Sequence, residues 1–158
     1  MMGGKMNFRE RIQRHGLRPI NGDSGVYRIG RTMDCVKLRT SFNENDEFYN
    51  RQDLEHEFNF TKGLYEGGVC VPRHRDLIEE REEGRILHGF VMEYIPGQTL
   101  IHLWRQPGSE PILAMREAEL AKAESLGYDP RDANYGNSIW HPKKKKVYLI
   151  DFSLWRRK

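Results

Sequence analysis

Asp132, Asn137 and Asp151 stand at intervals of five and fourteen residues, with the apolar stretch VYLI leading directly into the last of them. Asp132 follows Arg131 in a segment of Asp, Pro, Asn and Gly, the residues of irregular loops. A hairpin over 138–150, its arms of similar length around HPKKKK, returns Asn137 and Asp151 to neighbouring positions. An amide oxygen and a carboxylate so placed can share a hard divalent cation. Taken singly, Asp132 and Asn137 are common turn formers and Asp151 a common strand terminator. The combination is what points to a site.

Upstream lies a second pair. In CVKLR, alternation sends Val36 and Leu38 to one face of a strand and Cys35 and Lys37 to the other. Glu57 follows Leu54 by three residues and adjoins Phe58 on the apolar side of a helix, where an unpaired carboxylate is costly. It calls for a cation. An edge lysine or a boundary glutamate alone is ordinarily a solvated surface residue.

These residues need elements to carry them. Phe8, Ile12 and His15 recur at helical spacing and stop at Gly16. INGDSGVYRIG and DCVKLRT read as a strand pair between turn signals. A helix follows over about 46–65, with Leu54, Phe58, Thr61 and Tyr65 on its apolar side and Gly67-Gly68 at its end. VCVPRHRDLIEE and RILHGFVMEYI are strand-like, and PGQTL opens a short helix with Leu100, Leu103 and Trp104 on one side. A second helix spans 111–126, closed by Gly127, and NSIW and VYLID form the last two strands. The order is α+β in two pieces, 1–95 and 96–158.

The 158 residues suffice for one core or two small lobes that share it. Lys+Arg number 26 against 23 Asp+Glu, so the net charge of +3 permits a nucleic-acid partner without implying one. Cys35 and Cys70 have neither CxxC nor zinc-ligand spacing, and the histidines show no metal-binding pair. No Ser-His-Asp or Cys-His arrangement is suggested. No apolar run approaches the roughly 18 residues of a membrane span, and no signal core is visible at the start. A cytoplasmic, reducing location is the expectation.

Together, the residues resemble the protein kinase-like phosphotransferases. Arg131-Asp132 with Asn137 is similar to the catalytic loop, Asp132 in the place of the base and Asn137 in that of a metal ligand; IDFS is similar to the Asp-Phe-Gly metal-binding turn, giving Asp151 as the second ligand. Lys37 resembles the strand lysine that holds the α and β phosphates, and Glu57 its partner on the regulatory helix. GDSGVYRI resembles an abbreviated phosphate-covering loop, with Gly22, Ser24, Gly25 and Val26 against the nucleotide. VMEYIPGQTL resembles the hinge, with Met92 as gatekeeper and the backbone of Glu93 and Ile95 on adenine; Cys35 and Ile139 complete the implied pocket. EHEFNFTKGLYEGGVCVPR is also similar to the matching segment of small atypical kinases, such as lipopolysaccharide-core sugar kinases and the kinase of the tRNA threonylcarbamoylation complex, and truncated bacterial effector kinases are a further likeness.

The resemblance spans about 22–152. It departs in having two glycines where the loop pattern has three, Pro130 in place of the catalytic-loop His, and Ser153 in place of the turn Gly. None of these removes a charged group. The sequence stops seven residues after Asp151, which implies a severely truncated C-lobe with no activation segment. The expectation is a two-lobed protein kinase-like fold, with a β-rich N-lobe bearing one helix. It would use ATP and Mg2+ to phosphorylate a hydroxyl acceptor, a protein Ser/Thr or a small molecule. An activating partner would cover an apolar patch at Leu100, Leu103, Trp104 and Trp155. The alternatives are a pseudokinase or nucleotide-binding module that works by engaging a partner protein, and a small nucleic-acid binder using Lys143–Lys146 with the basic tail.

Overall fold

Residues 16–20 and 25–158 are described by the computed structural model. The helix read over Phe8 to His15 and the loop positions Gly22 and Ser24 lie outside them. Strands β1 (Leu17–Pro19), β2 (Val26–Ile29) and β3 (Asp34–Ser41) come first, then α1 (Glu44–Glu66), β4 (His74–Glu82) and β5 (Arg85–Glu93). β6 (Gln98–Thr99), one 3-10 turn (Leu100–His102), α2 (Glu110–Ser125) and β7 (Tyr128–Asp129) follow. A second 3-10 turn (Tyr135–Asn137), β8 (Ser138–His141), β9 (Lys146–Leu149) and β10 (Arg156–Arg157) complete the order.

The chain divides into two units. One holds the described residues up to Glu55 and Arg75–Tyr94; the other holds His56–His74 and Ile95–Lys158. The first is a five-stranded sheet in the order β1-β2-β3-β5-β4 with the opening turns of α1. β3 lies at its centre, antiparallel to both neighbours, with Lys37 opposite Val26 on β2 and opposite Phe90 on β5. Ile29, Val36 and Val91 are its buried core.

α1 starts where its side chains supply what its backbone lacks. Asn43 Oδ1 accepts from Asp46 N at 2.9 Å, while Asp46 Oδ2 accepts from Phe42 N at 3.3 Å. Glu44, Asp46 and Glu47 in the first turn suit the positive end of the helix dipole. At the far end Gly68, at φ 87°, donates to Tyr65 O, and Val69 donates to Leu64 O, a Schellman closure that brings the apolar pair Leu64 and Val69 together.

The second unit packs Leu64, Val69 and Val71 with Leu120 and Ala123 of α2, Tyr128, Leu149, Phe152 and Trp155. Its strands form a three-stranded sheet, β6-β8-β9, and a two-stranded one, β7-β10. Among the described residues no helix is long and apolar enough to cross a membrane.

Four features differ from the sequence reading. The buried stripe of α1 is Leu54, Glu57, Thr61 and Leu64, with Phe58 only half-buried and Tyr65 exposed, so the helix is turned one position and Glu57 lies within the stripe. β4 begins at His74 because Val69, Val71 and Pro72 are irregular core-filling chain. The helix after Pro96 is a single 3-10 turn. Leu100 and Trp155 are buried and Leu103 and Trp104 half-buried, so they form no open apolar patch.

Candidate functional site

In the sheet unit, register gathers the residues read as nucleotide contacts onto three adjoining strands. Val26 faces Lys37, Cys35 faces Met92, and Leu38 N donates to Gly25 O at 2.9 Å. Gly25 sits at φ 74°, a backbone angle that favours glycine. Lys37 is 8% exposed, an unusual setting for an ammonium, which is buried only where something compensates it. The Cys35 thiol lies 3.7 Å from the Glu93 carbonyl, and burial, with Asp34 and Glu93 adding, pushes its pKa up to about 12. It is a packing group and a poor nucleophile. Past Glu93 the chain is pinned by Tyr94 N on Met33 O at 2.7 Å.

The same unit contains a polar chain that residue spacing does not signal. Ser41 Oγ and His88 Nε2 are 2.7 Å apart, His88 Nδ1 lies 3.3 Å from Glu79 Oε1, and Asn50 Nδ2 donates to Ser41 Oγ at 2.9 Å. With the amide and carboxylate fixing both ends, Ser41 donates to Nε2 and Nδ1–H donates to Glu79. Arg51 forks onto both oxygens of Glu79 and holds its carboxyl below the usual range. The order resembles a nucleophilic triad, but Ser41 is 1% exposed on a paired strand. The chain satisfies buried groups and ties α1 to the sheet. It borders a cavity of about 230 Å³ lined in part by Leu54, Leu77 and Ile78, and none of the residues read as site positions lines it.

In the second unit the loop after β7 carries Asp132 at φ 53°, the left-handed region in which Asp is among the more tolerated residues. Asn137 Nδ2 donates to Asp132 O at 2.7 Å, closing the loop on itself. Because that partner is a carbonyl, the amide orientation is fixed and the hard oxygen Oδ1 remains as the other polar atom of Asn137. Ser138 pairs with Leu149, and Ile150 N donates to Asn137 O at 3.0 Å, so the hairpin sets Asn137 beside the strand that leads to Asp151. Asp151 is exposed at φ 61° and accepts from Ser153 Oγ at 2.8 Å. The serine in the turn's glycine position thus hydrogen-bonds the carboxylate.

Glu57 is 3% exposed on α1, and its carbonyl accepts from Thr61 Oγ1 at 2.7 Å. Ile95 is buried, and Ile139 on β8 is half-buried opposite Thr99. Asn137 and Asp151 supply amide and carboxylate oxygens, the donor chemistry that magnesium takes, so these residues fit the ion. Among the described residues there is no cluster of three or more His, Cys, Asp or Glu arranged to hold a metal.

Sequence reasoning passed over Asn134. Its Nδ2 donates to Asp132 Oδ1 at 2.9 Å and its Oδ1 accepts from Gly136 N at 2.8 Å. The Asn-Tyr-Gly order, an Asx-turn pattern, was the available signal. Tyr135 was also missed. It stacks on Trp104 with centroids 5.4 Å apart, and the buried Arg116 lies 4.9 Å from its centroid, so an aromatic-cation stack braces the loop between Asp132 and Asn137.

No family model matches the chain. Among solved structures it is similar to a crystal structure of WbdD, with a TM-score of 0.66 and 18% identity over 90% of this chain and 33% of that one. It is likewise similar to a structure of the bifunctional kinase-methyltransferase WbdD, with a TM-score of 0.64 and 18% identity over 84% of this chain and 30% of that one. The chain spans about a third of the length of the structures it matches. At that identity the likeness is one of fold, and with the antiparallel sheet and two helices it makes this an α+β protein of kinase-like fold.

Proposed function

We propose that the chain is an ATP-dependent phosphotransferase that moves the γ-phosphoryl group to a hydroxyl. The observation that carries this reading is the loop and turn of the second unit, where Asp132 and Asp151 both sit at positive φ and are held by side-chain bonds from Asn137, Asn134 and Ser153. Strained backbone of this kind concentrates where geometry serves a ligand.

In this reading Asp132 takes the acceptor hydroxyl's proton as the oxygen–phosphorus bond forms and the bond from Pγ to the bridging oxygen breaks, leaving ADP. Asn134 keeps one carboxylate oxygen of Asp132 occupied, which orients the other. Asn137 and Asp151 would hold magnesium, which when bound offsets charge on the transferring phosphates. Lys37 takes the α and β phosphates. Gly25, Val26, Cys35, Met92 and Glu93 of the sheet unit contact the nucleotide.

The reading is tested by thermal melting and ATP turnover with magnesium or with a chelator, for the wild-type chain and Asp151→Asn. ATP at about a hundredfold excess over its Kd stabilises the fold by about 2.7 kcal/mol. The magnesium-dependent part of this, together with turnover, is lost in the variant. Equal binding with chelator and in Asp151→Asn removes the metal assignment; binding without turnover favours a nucleotide-binding module.

A further inference from the structure

One side chain of α1 meets the Asp151 turn. His56 Nε2 lies 3.1 Å from the carbonyl oxygen of Phe152, and since a carbonyl only accepts, the ring nitrogen is the donor. The ring is also stacked on Phe60, one helical turn on, with centroids 4.1 Å apart and planes at 26°. It is held at its face and bonded at its tip. Phe152 is 2% exposed and stands edge-on to Trp155 at 4.8 Å, within the core that includes Leu64 and Leu149. His56 precedes Glu57, and Phe152 follows Asp151. The bond therefore joins the chain segments that carry two of the site's carboxylates.

Asp151 is itself exposed and lies in a backbone region that side-chain-bearing residues keep only when their surroundings hold them. The Ser153 bond is local to the turn and moves with it. Trp155 N donates to the same Phe152 oxygen at 3.1 Å from within the C-terminal segment, and His56 adds an anchor from α1. We propose that His56 is a positioning residue: by donating to Phe152 O it keeps the Asp151 turn in its magnesium-binding conformation and ties that turn to the part of α1 bearing Glu57. This rests on the phosphotransferase reading. Removing an outer contact that orients a ligand residue typically costs 10- to 100-fold in metal affinity or activity.

The test measures ATP hydrolysis by the full chain against magnesium concentration, with melting curves alongside, for wild type, Asp151→Asn, His56→Leu, His56→Asn and His56→Gln. His56→Leu is expected to raise the half-saturating magnesium concentration about tenfold or more, with the KM for ATP at saturating magnesium moved no more than about twofold. His56→Gln, whose amide nitrogen reaches about as far as Nε2, recovers most of the response; His56→Asn, equally polar but shorter, does not. A purely structural role would lower the melting temperature of all three and leave the magnesium midpoint in place, and that result overturns the proposal. If Asp151→Asn abolishes the magnesium response and His56→Leu does not shift it, the phosphotransferase reading stands and the coupling is wrong. If wild type has no magnesium-dependent turnover, or Asp151→Asn matches it, both fall. Should His56→Leu not fold, the Gln and Asn pair decides.

Discussion

The side-chain amide of Asn134 bridges Asp132 Oδ1 and the backbone N–H of Gly136, at 2.9 Å and 2.8 Å. One amide thus orients a carboxylate and caps the 3-10 turn that presents Asn137. Both jobs need a donor and an acceptor in the same group, which aspartate and leucine lack.

Asn134→Asp therefore should keep the cap and lose the donor, placing a second carboxylate against Asp132. Turnover is expected to fall about tenfold, the worth of roughly 1.4 kcal/mol, with little change in the KM for ATP. Asn134→Leu should lose both and destabilise the fold as well. Steady-state kinetics with melting curves distinguish the two patterns.

Glu79 gives a pH dependence with a definite sign. Arg51, foremost through its side-chain hydrogen bonds, lowers the Glu79 pKa from its unfolded value near 4.5. A carboxyl so lowered contributes stability above the unfolded pKa and loses it as pH falls through the folded one. Glu79→Gln is expected to shift the urea midpoint downward at pH 7 and to converge with wild type in acid, once the pH has fallen through the lowered pKa. Equal deficits at both pH values would mean that the fork onto Arg51 contributes nothing ionic.

Gly97→Ala should be poorly tolerated. A Cβ at this position would overlap the Trp140 carbonyl oxygen on the neighbouring strand and crowd Ile139 Cγ2. Because the obstacle is backbone, relief requires β6 and β8 to separate, and overpacking of this sort costs about 1–3 kcal/mol. In a domain of this size that is a fall of several degrees in Tm, readable by calorimetry.

The α+β class and most strand positions were legible because alternation and turn residues report directly on local backbone, as in DCVKLRT for β3 and the glycine pair after α1. What the sequence could not report is which neighbour each side chain meets. Leu54, Thr61 and the neighbouring Glu57 were read on the apolar side of α1 and are buried there, but Phe58 and Tyr65 were read with them because hydrophobicity was the signal, and the structure buries Leu64 instead. The positions of Asp132, Asn137 and Asp151 could be picked out by residue type and spacing. Their restraints, from Asn134, Ser153 and Tyr135, arise from loop geometry that periodicity does not encode. Leu100 and Trp155 looked available to a partner, but both are buried in the interior.

The core of the second unit draws Leu64, Val69 and Val71 against Leu149, Phe152 and Trp155, residues about eighty positions further along. Protein synthesis runs in one direction, so a nascent chain that has emerged only as far as Tyr128 presents the first three without the last three. Those apolar side chains stay solvated, or are sheltered by a chaperone, for the several seconds that the intervening residues take at about 5–20 residues per second. Stalled intermediates of this length are expected to be the aggregation-prone species, and the Asp132 loop and Asp151 turn then take shape only after Leu149, Phe152 and Trp155 have left the ribosome.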